Sequence, residues 1–141
     1  MHQIGIVHRD IKLDNLIVKS NKLTIIDFGL SISQVSNIRG FVGSTHYICP
    51  EILKGHYDEK CDVWSIGIVT YVLFSQGEFP FDGTTQSQIF KSIKRGEFYL
   101  PPNKRKERRK KVLQNLEAPF NWEYMSEKAK DFIVFLLNTN Q

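Results

Sequence analysis

A cluster of charged and polar side chains near the start of the chain could carry out phosphoryl chemistry. Asp10, Lys12 and Asn15 fall within six residues, and Asp27 follows Asn15 by twelve. A carboxylate can take the proton of an attacking hydroxyl, and a lysine can neutralise charge on a transferred phosphoryl group. An amide and a second carboxylate can hold Mg²⁺ against phosphates. These residue types at this spacing therefore predict phosphoryl transfer.

Two motifs contain these side chains. Residues 8–15 read H-R-D-I-K-L-D-N, and residues 27–29 read D-F-G after a short apolar run. They resemble the catalytic loop and the magnesium loop of eukaryotic protein kinases, in the family's order and separation. The resemblance implies ATP and Mg²⁺ as cofactors and proteins as substrates.

The resemblance also implies a role for each polar residue of the first cluster. Asp10 is expected to be the catalytic base, although an Asp at this place could instead only cap a loop. Lys12 is typical of kinases that act on serine and threonine. Asn15 and Asp27 are expected to bind Mg²⁺, and Ile17 is expected to form part of the floor of the adenine pocket.

Asp14 stands where the family usually has Glu. It keeps the negative charge that could attract basic residues placed before the phosphorylation site of a substrate. A surface acid is more often only solvated, so both interpretations stay open.

Arg9 resembles the family's charge sensor, which pairs with a phosphate or a carboxylate on the activation segment. No Asp or Glu lies between Asp27 and Glu51. We therefore expect phosphorylation of Ser36, or less readily of Ser33 or Ser31, to supply the partner. The equal alternative is that backbone carbonyls satisfy Arg9. His8 lacks partners at metal-ligand spacing, and the resemblance gives it and Phe28 structural roles at the magnesium loop.

The activation segment is predicted at residues 27–51, and its end, G-S-T-H-Y-I-C-P-E from residue 43, resembles the family's G-T-x-x-Y-x-A-P-E. Ser44 replaces Thr and keeps the hydroxyl that joins Asp10 to Lys12 in the family. Cys49 replaces Ala with a modest gain in volume. Glu51 normally pairs with an arginine near the end of the domain, and no such arginine follows, so we expect an unpaired, partly buried acid.

Three predicted elements position these loops. Two β-branched-rich runs, 16–18 and 23–26, flank a polar turn and predict a β-hairpin. Residues 62–75 carry the D-x-W-S-x-G signature of the family's central helix, in which Asp62 anchors the catalytic loop. Their apolar side chains point to all sides, which predicts burial, and the run is too short to span a membrane.

Two further helices are predicted downstream. Thr84 or Thr85 caps the first, with Gln88 completing a capping box for Thr85, and Gly96 ends it. Ser126 caps the second, whose predicted apolar stripe is Ala129, Phe132, Ile133, Leu136 and Leu137. The motif W-x-x-x-S-x-x-A-K-D-F-I-x-x-L-L, from Trp122, resembles calcium/calmodulin-regulated kinases and calcium-dependent protein kinases.

The net charge of +4 arises from one basic tract. Residues 104–111 hold seven bases and one acid, a net +6, which leaves −2 for the rest of the chain. This insert (103–112) fits a solvated segment, a nuclear-import or docking segment, or a contact with anionic membrane. It has no interleaved aromatics, so we do not expect nucleic-acid binding. Two cysteines without a metal pattern and no visible leader favour the cytoplasm, with nuclear import through the tract as an alternative.

The predicted fold is mainly α with a short β-hairpin, namely the large (C-terminal) lobe of a protein kinase over residues 1–141. The small lobe and the final helix are absent from these residues, so we expect the 141-residue chain alone to be little active. No EF-hand loop is present, and calcium regulation stays open. The alternatives are a non-catalytic kinase-like interaction module and an adaptor that binds anionic partners through the basic tract.

Overall fold

The computed structural model describes residues 1–33, 36–96, 98 and 126–138. Within these ranges lie three α-helices and two small antiparallel sheets. The strands are β1 (Leu16–Lys19), β2 (Lys22–Ile25), β3 (Ile38–Arg39) and β4 (His56–Tyr57), and the helices are α1 (Lys60–Phe74), α2 (Gln86–Arg95) and α3 (Glu127–Leu136). The predicted basic insert and Trp122 lie outside the described residues.

The hairpin predicted between the two motifs is present as β1 and β2. Leu16 pairs with Ile25 and Lys19 with Lys22, which leaves a two-residue turn. Ser20 and Asn21 form that turn with φ values of 49° and 62°. Two consecutive left-handed residues match the twist of an antiparallel pair, so the turn fixes the register of the hairpin.

A second sheet, β3 with β4, was not predicted. Ile38 pairs with Tyr57 and Arg39 with His56. This sheet ties the middle of the activation segment to the residues just before α1. Two-residue strands are too short to show an alternating hydrophobic pattern, so they could not be predicted from the sequence.

Helix α1 begins two residues before the predicted 62–75 and ends one residue earlier, at Phe74. The start is fixed by Asp58, whose carboxylate accepts a hydrogen bond from the Lys60 amide at 2.9 Å. The expectation of burial on all sides is wrong for three residues, since Ile66 is 41%, Leu73 63% and Phe74 37% exposed. Apolar composition alone cannot tell which faces the neighbouring elements cover.

Helix α3 packs against α1 at Gly67. A Cβ atom at Gly67 would lie 2.8 Å from Leu137 Cδ2 and 2.9 Å from Leu136 Cβ, so the glycine permits the close approach. Ser126 caps α3 by accepting from the Ala129 amide, as predicted. Phe132 was predicted to lie in the buried stripe, but it is 52% exposed. That part of the predicted stripe is wrong, because apolar periodicity does not tell how wide a face the neighbouring elements cover.

Helix α2 has the predicted ends. Thr85 is the N-cap and accepts from the Gln88 amide, and Gly96 ends the helix in a left-handed conformation with φ 65°. The second hydrogen bond of the predicted capping box differs from the expectation. Gln88 Oε1 accepts from the amide of Thr84, at 2.8 Å, and not from that of the N-cap Thr85. No helix in the described ranges is long and apolar enough to cross a membrane.

Candidate active site

The catalytic loop is fastened to helix α1 through Asp62. The Asp62 carboxylate, only 1% exposed, accepts from the backbone amides of His8 and Arg9 at 2.8 Å each. The ring of His2 contacts the same carboxylate at 2.8 Å. Buried backbone amides need acceptors, so this one side chain fixes the path of the loop that leads into Asp10.

The loop passes through a strained residue and a close contact. Arg9 has φ 68°, which is unfavourable for a side chain of its size. Gly43, with φ 105°, lies so close that an added Cβ would be 2.8 Å from the Arg9 carbonyl oxygen. Only glycine suits this position on both grounds. The end of the activation segment is thereby held directly against the catalytic loop.

Asp10, Lys12 and Ser44 form a closed triangle of hydrogen bonds. Lys12 Nζ donates to Asp10 Oδ2 at 2.8 Å and to Ser44 Oγ at 3.0 Å. Ser44 donates its hydroxyl to Asp10 Oδ1 at 2.8 Å and its amide to the same oxygen at 3.0 Å. The contact expected from the hydroxyl of Ser44 is therefore present. The catalytic role of the three residues stays a prediction.

The charges of this triangle are set by their mutual contacts. Burial tends to raise the pKa of Asp10, but the hydrogen bonds from Lys12 and Ser44 outweigh it and hold that pKa below its usual value. The bond to Asp10 raises the pKa of Lys12, and the nearby charges of Asp14 and Asp27 act in the same direction. At neutral pH the triangle is an ionised carboxylate facing an ammonium group, which suits a proton acceptor beside an anionic substrate.

Asn15 and Asp27 lie close together because of the hairpin. The Ile26 amide donates to the Asn15 carbonyl at 2.9 Å, one step beyond the last β1–β2 pair, so Asp27 follows directly. The side-chain nitrogen of Asn15 donates to the Asp10 carbonyl at 2.9 Å. This bond leaves the amide oxygen as the atom of Asn15 that can ligate a cation.

These residues fit Mg²⁺ as an incomplete ligand set. The Asp27 carboxylate is exposed and accepts from the Gly29 amide at 3.2 Å. In the described part of the chain, no group of three or more His, Cys, Asp or Glu side chains could hold a metal ion by itself. Mg²⁺ commonly takes one or two protein oxygens and completes its shell with substrate phosphates and water, and an amide with a carboxylate meets that need.

His8 packs against Phe28, the middle residue of D-F-G. The fully buried His8 lies edge-on to Phe28, with ring centroids 4.8 Å apart, and its Nε2 is 3.1 Å from the Ile26 carbonyl oxygen. Phe28 itself is 48% exposed, as is Ile17 at 47% on β1. The hairpin and the magnesium loop thus present an open apolar surface, on which the adenine-pocket role of Ile17 stays a prediction.

Arg9 contacts one backbone carbonyl, as one of its two interpretations expects, and one tyrosine hydroxyl, while phosphorylation of Ser36 stays a prediction. Arg9 Nε donates to the Leu30 carbonyl at 2.6 Å, and its Nη1 donates to the Tyr57 hydroxyl at 3.3 Å. Ser36 lies two residues before Ile38, whose strand pairs with that of Tyr57.

Glu51 is half-buried, and Cys49, two residues before it, is buried. Burial raises the pKa of the Cys49 thiol to about 12, and the nearby charge of Glu51 acts in the same direction. The half-burial of Glu51 agrees with the expectation, while its lack of an ionic partner stays a prediction.

Sequence reasoning missed His2 and Tyr57. His2 contacts Asp62, and Tyr57 contacts Arg9, across 60 and 48 residues of sequence. Neither residue belongs to a motif that we used. A search for polar residues flanking the Asp62 motif and the catalytic loop would have drawn attention to both.

Comparison with known proteins agrees with this geometry. The protein kinase domain family matches residues 1–141, so the chain belongs to the protein kinase family. Among curated relatives, calcium-dependent protein kinase 5 of Plasmodium falciparum (isolate 3D7) is 34% identical over 145 residues, covering 99% of this chain and 22% of that protein. Calcium-dependent protein kinase 4 of the same organism is 39% identical over 146 residues, covering 97% of this chain and 24% of that protein.

A plant relative gives the same picture. The serine/threonine-protein kinase PEPKR2 of Arabidopsis thaliana is 35% identical over 146 residues, covering 99% of this chain and 27% of that protein. The predicted resemblance to calcium-dependent protein kinases is confirmed. The chain spans about a quarter of the length of these relatives.

Proposed function

We propose that this chain carries the catalytic loop and the magnesium loop of a serine/threonine protein kinase, which transfers the γ-phosphoryl group of ATP to substrate hydroxyls. The observation that carries the proposal is the triangle of Asp10, Lys12 and Ser44, with Asn15 bonded to the Asp10 carbonyl. A buried carboxylate held ionised beside an ammonium group, with two candidate magnesium ligands next to it, is the set that phosphoryl transfer needs.

In the proposed reaction, Asp10 accepts the proton of the substrate hydroxyl. The hydroxyl oxygen forms a bond to the γ-phosphorus while the bond from that phosphorus to the bridging oxygen of ADP breaks. Lys12, already bonded to Asp10, faces the transferred group and neutralises its charge. Asn15 and Asp27 would hold Mg²⁺, which supplies charge neutralisation for the phosphates.

Two features support the choice of substrate. Lys12 supports serine and threonine as acceptors, and the plant relative is a serine/threonine-protein kinase by name. Asp14 is exposed and lies near enough to Lys12 to raise its pKa. An exposed carboxylate beside the acceptor site would favour substrates with basic residues before the phosphorylated residue, and this is the preference we propose.

The experiment compares Asp10→Asn with Asp131→Asn, an exposed residue of α3, as its matched control. Transfer of labelled phosphate from ATP to a basic peptide is measured with a chain that also carries the small lobe, because the 141 residues alone are proposed to turn over little. Loss of a positioned base lowers turnover about 10²–10⁴-fold. Full activity of the Asp10→Asn variant would remove the proposed function. Robust turnover by residues 1–141 alone would contradict only the claim that the shorter chain turns over little.

Phosphorylation of Ser36 is a second, regulatory proposal. Ser36 lies two residues before Ile38, which pairs with Tyr57, so a phosphate on Ser36 would compete with Tyr57 for the Arg9 guanidinium. The phosphate would regulate an enzyme that is active without it. Mass spectrometry of the active enzyme tests whether Ser36 is modified, and an unmodified segment would remove this proposal.

A further inference from the structure

Arg9 makes its side-chain contacts to two different parts of the chain. Leu30 belongs to the start of the activation segment, just after D-F-G, while Tyr57 lies in β4, just before α1. One guanidinium group therefore joins the catalytic loop to both. Since Arg9 directly precedes Asp10, its side chain is well placed to hold the loop at the point where the candidate base emerges.

Tyr57 is built into the fold rather than placed loosely against Arg9. It is 5% exposed and pairs with Ile38, itself 2% exposed, in the β3–β4 sheet. Burial raises the pKa of the Tyr57 phenol, with the Arg9 charge acting in the opposite direction, so the hydroxyl stays neutral at physiological pH. A neutral oxygen can accept a hydrogen bond from a guanidinium group without any modification.

We propose that Tyr57 is a positioning residue, which holds Arg9 and the activation segment in their catalytic arrangement while the segment carries no phosphate. The catalytic part of this inference rests on the proposed function, whereas its structural part does not.

The contacts continue from Tyr57 to the candidate base. Ile38 and Gly43 belong to the same short stretch of the activation segment, and Gly43 packs on the Arg9 carbonyl. Ser44 follows Gly43 and donates both its amide and its hydroxyl to Asp10. Loosening the segment at β3 or at Arg9 would therefore weaken the hold of Ser44 on Asp10.

The structural test uses hydrogen–deuterium exchange on the full 141-residue chain. Tyr57→Phe keeps the ring and removes the hydroxyl, and Tyr71→Phe is the matched control, because Tyr71 is a buried tyrosine in the last turn of α1, outside residues 36–44. Loss of a hydrogen bond to a charged group is expected to speed exchange across residues 36–44 roughly tenfold in Tyr57→Phe. Unchanged exchange in Tyr57→Phe, or an equal increase in Tyr71→Phe, would overturn the proposal.

A double-mutant cycle assigns the effect to the contact itself. In an Arg9→Gln background, Tyr57→Phe is expected to add little further exchange, since the bond is already lost. Simple additivity of the two substitutions would show that Tyr57 acts independently of Arg9, against the proposal.

The functional test uses the chain that also carries the small lobe, after treatment with a nonspecific protein phosphatase. The wild type is expected to keep its kcat, while Tyr57→Phe loses about tenfold in kcat with KM for ATP little changed, because the base is misplaced but the nucleotide site is not. A wild type that phosphatase inactivates would contradict the proposal. If the wild type transfers no phosphate even before phosphatase treatment, the proposed function fails, and the exchange experiment still decides the role of Tyr57.

Discussion

The hydroxyl of Ser44 donates to the carboxylate of Asp10 at 2.8 Å, although the two residues lie 34 positions apart in the chain. The amide of Ser44 donates to the same oxygen. Two donors from Ser44 hold Asp10 Oδ1. The other oxygen, Oδ2, accepts from Lys12 Nζ at 2.8 Å and from Asn15 Nδ2 at 3.4 Å, and in the proposed reaction it takes the substrate proton. The activation segment and the catalytic loop are thus joined at the candidate base itself.

Replacing Ser44 with alanine should therefore impair activity more than stability. The Asp10 carboxylate would keep the backbone amide but lose the hydroxyl, and Lys12 would lose its second partner. We expect kcat to fall about 10–100-fold, corresponding to one hydrogen bond to a charged group. The fall in kcat is measured as peptide phosphorylation by a chain that also includes the small lobe. Ser44→Thr, which restores the hydroxyl, should recover most of the rate, and failure of that recovery would speak against the triangle.

Asp62→Asn should destabilise the whole fold. The asparagine oxygen can still accept from one backbone amide, but its NH₂ group would face the other amide of the His8–Arg9 pair, donor against donor. The cost should be roughly 2–4 kcal/mol, since a buried, charge-assisted pair is broken. Urea unfolding followed by circular dichroism measures this. The exposed Asp131→Asn should change stability by less than about 0.5 kcal/mol, and equal effects of the two would refute the anchoring role.

Gly67→Ala should destabilise the α1–α3 contact, although alanine favours helices. Helix propensity alone would gain about 1 kcal/mol. The new methyl group would, however, sit 2.8 Å from Leu137 Cδ2 and 2.9 Å from Leu136 Cβ, which costs about 1–3 kcal/mol by overpacking. Thermal unfolding should show a lower Tm. Combining Gly67→Ala with Leu137→Ala should cost less than the sum of the two single substitutions, and strict additivity would show that the side chains do not meet.

Both cysteines should resist alkylation in the folded chain. Burial raises the pKa of the Cys49 thiol to about 12, and burial likewise raises the pKa of Cys61 above its ordinary range. The thiolate is the reactive form, so iodoacetamide at about pH 8 should leave the native chain unmodified and modify both sites after unfolding. Intact mass spectrometry distinguishes the two states. Rapid modification of the native chain would show that one thiol is accessible.

The Cys49 thiol also makes a pH-dependent contribution to the stability of the fold. The folded chain keeps the Cys49 proton that the unfolded chain loses near pH 9.0, the ordinary value. The contribution is therefore complete below that pH and is lost as the pH rises toward about 12. The urea concentration at the unfolding midpoint should fall less steeply with rising alkaline pH in Cys49→Ala than in the wild type. An equally steep fall in both would show that other groups cause it.

The family and much of the local framework around the candidate site could be predicted from the sequence. The motifs around Asp10 and Asp27 are contiguous, so residue type and spacing were enough to recognise them. The hairpin of β1 and β2 and the caps at Thr85, Gly96 and Ser126 were predictable for the same reason, because turn and capping preferences act within a few residues.

Tertiary structure alone decided which distant partners those residues found. The pairing of Arg9 with Tyr57 and of Asp62 with His2 depends on how distant segments come together in space. The exposure of Leu73 and Phe132 depends in the same way on which faces neighbouring elements cover. Apolar periodicity and motif spacing describe local conformation, and neither contains the three-dimensional arrangement that turns a polar side chain into another residue's partner.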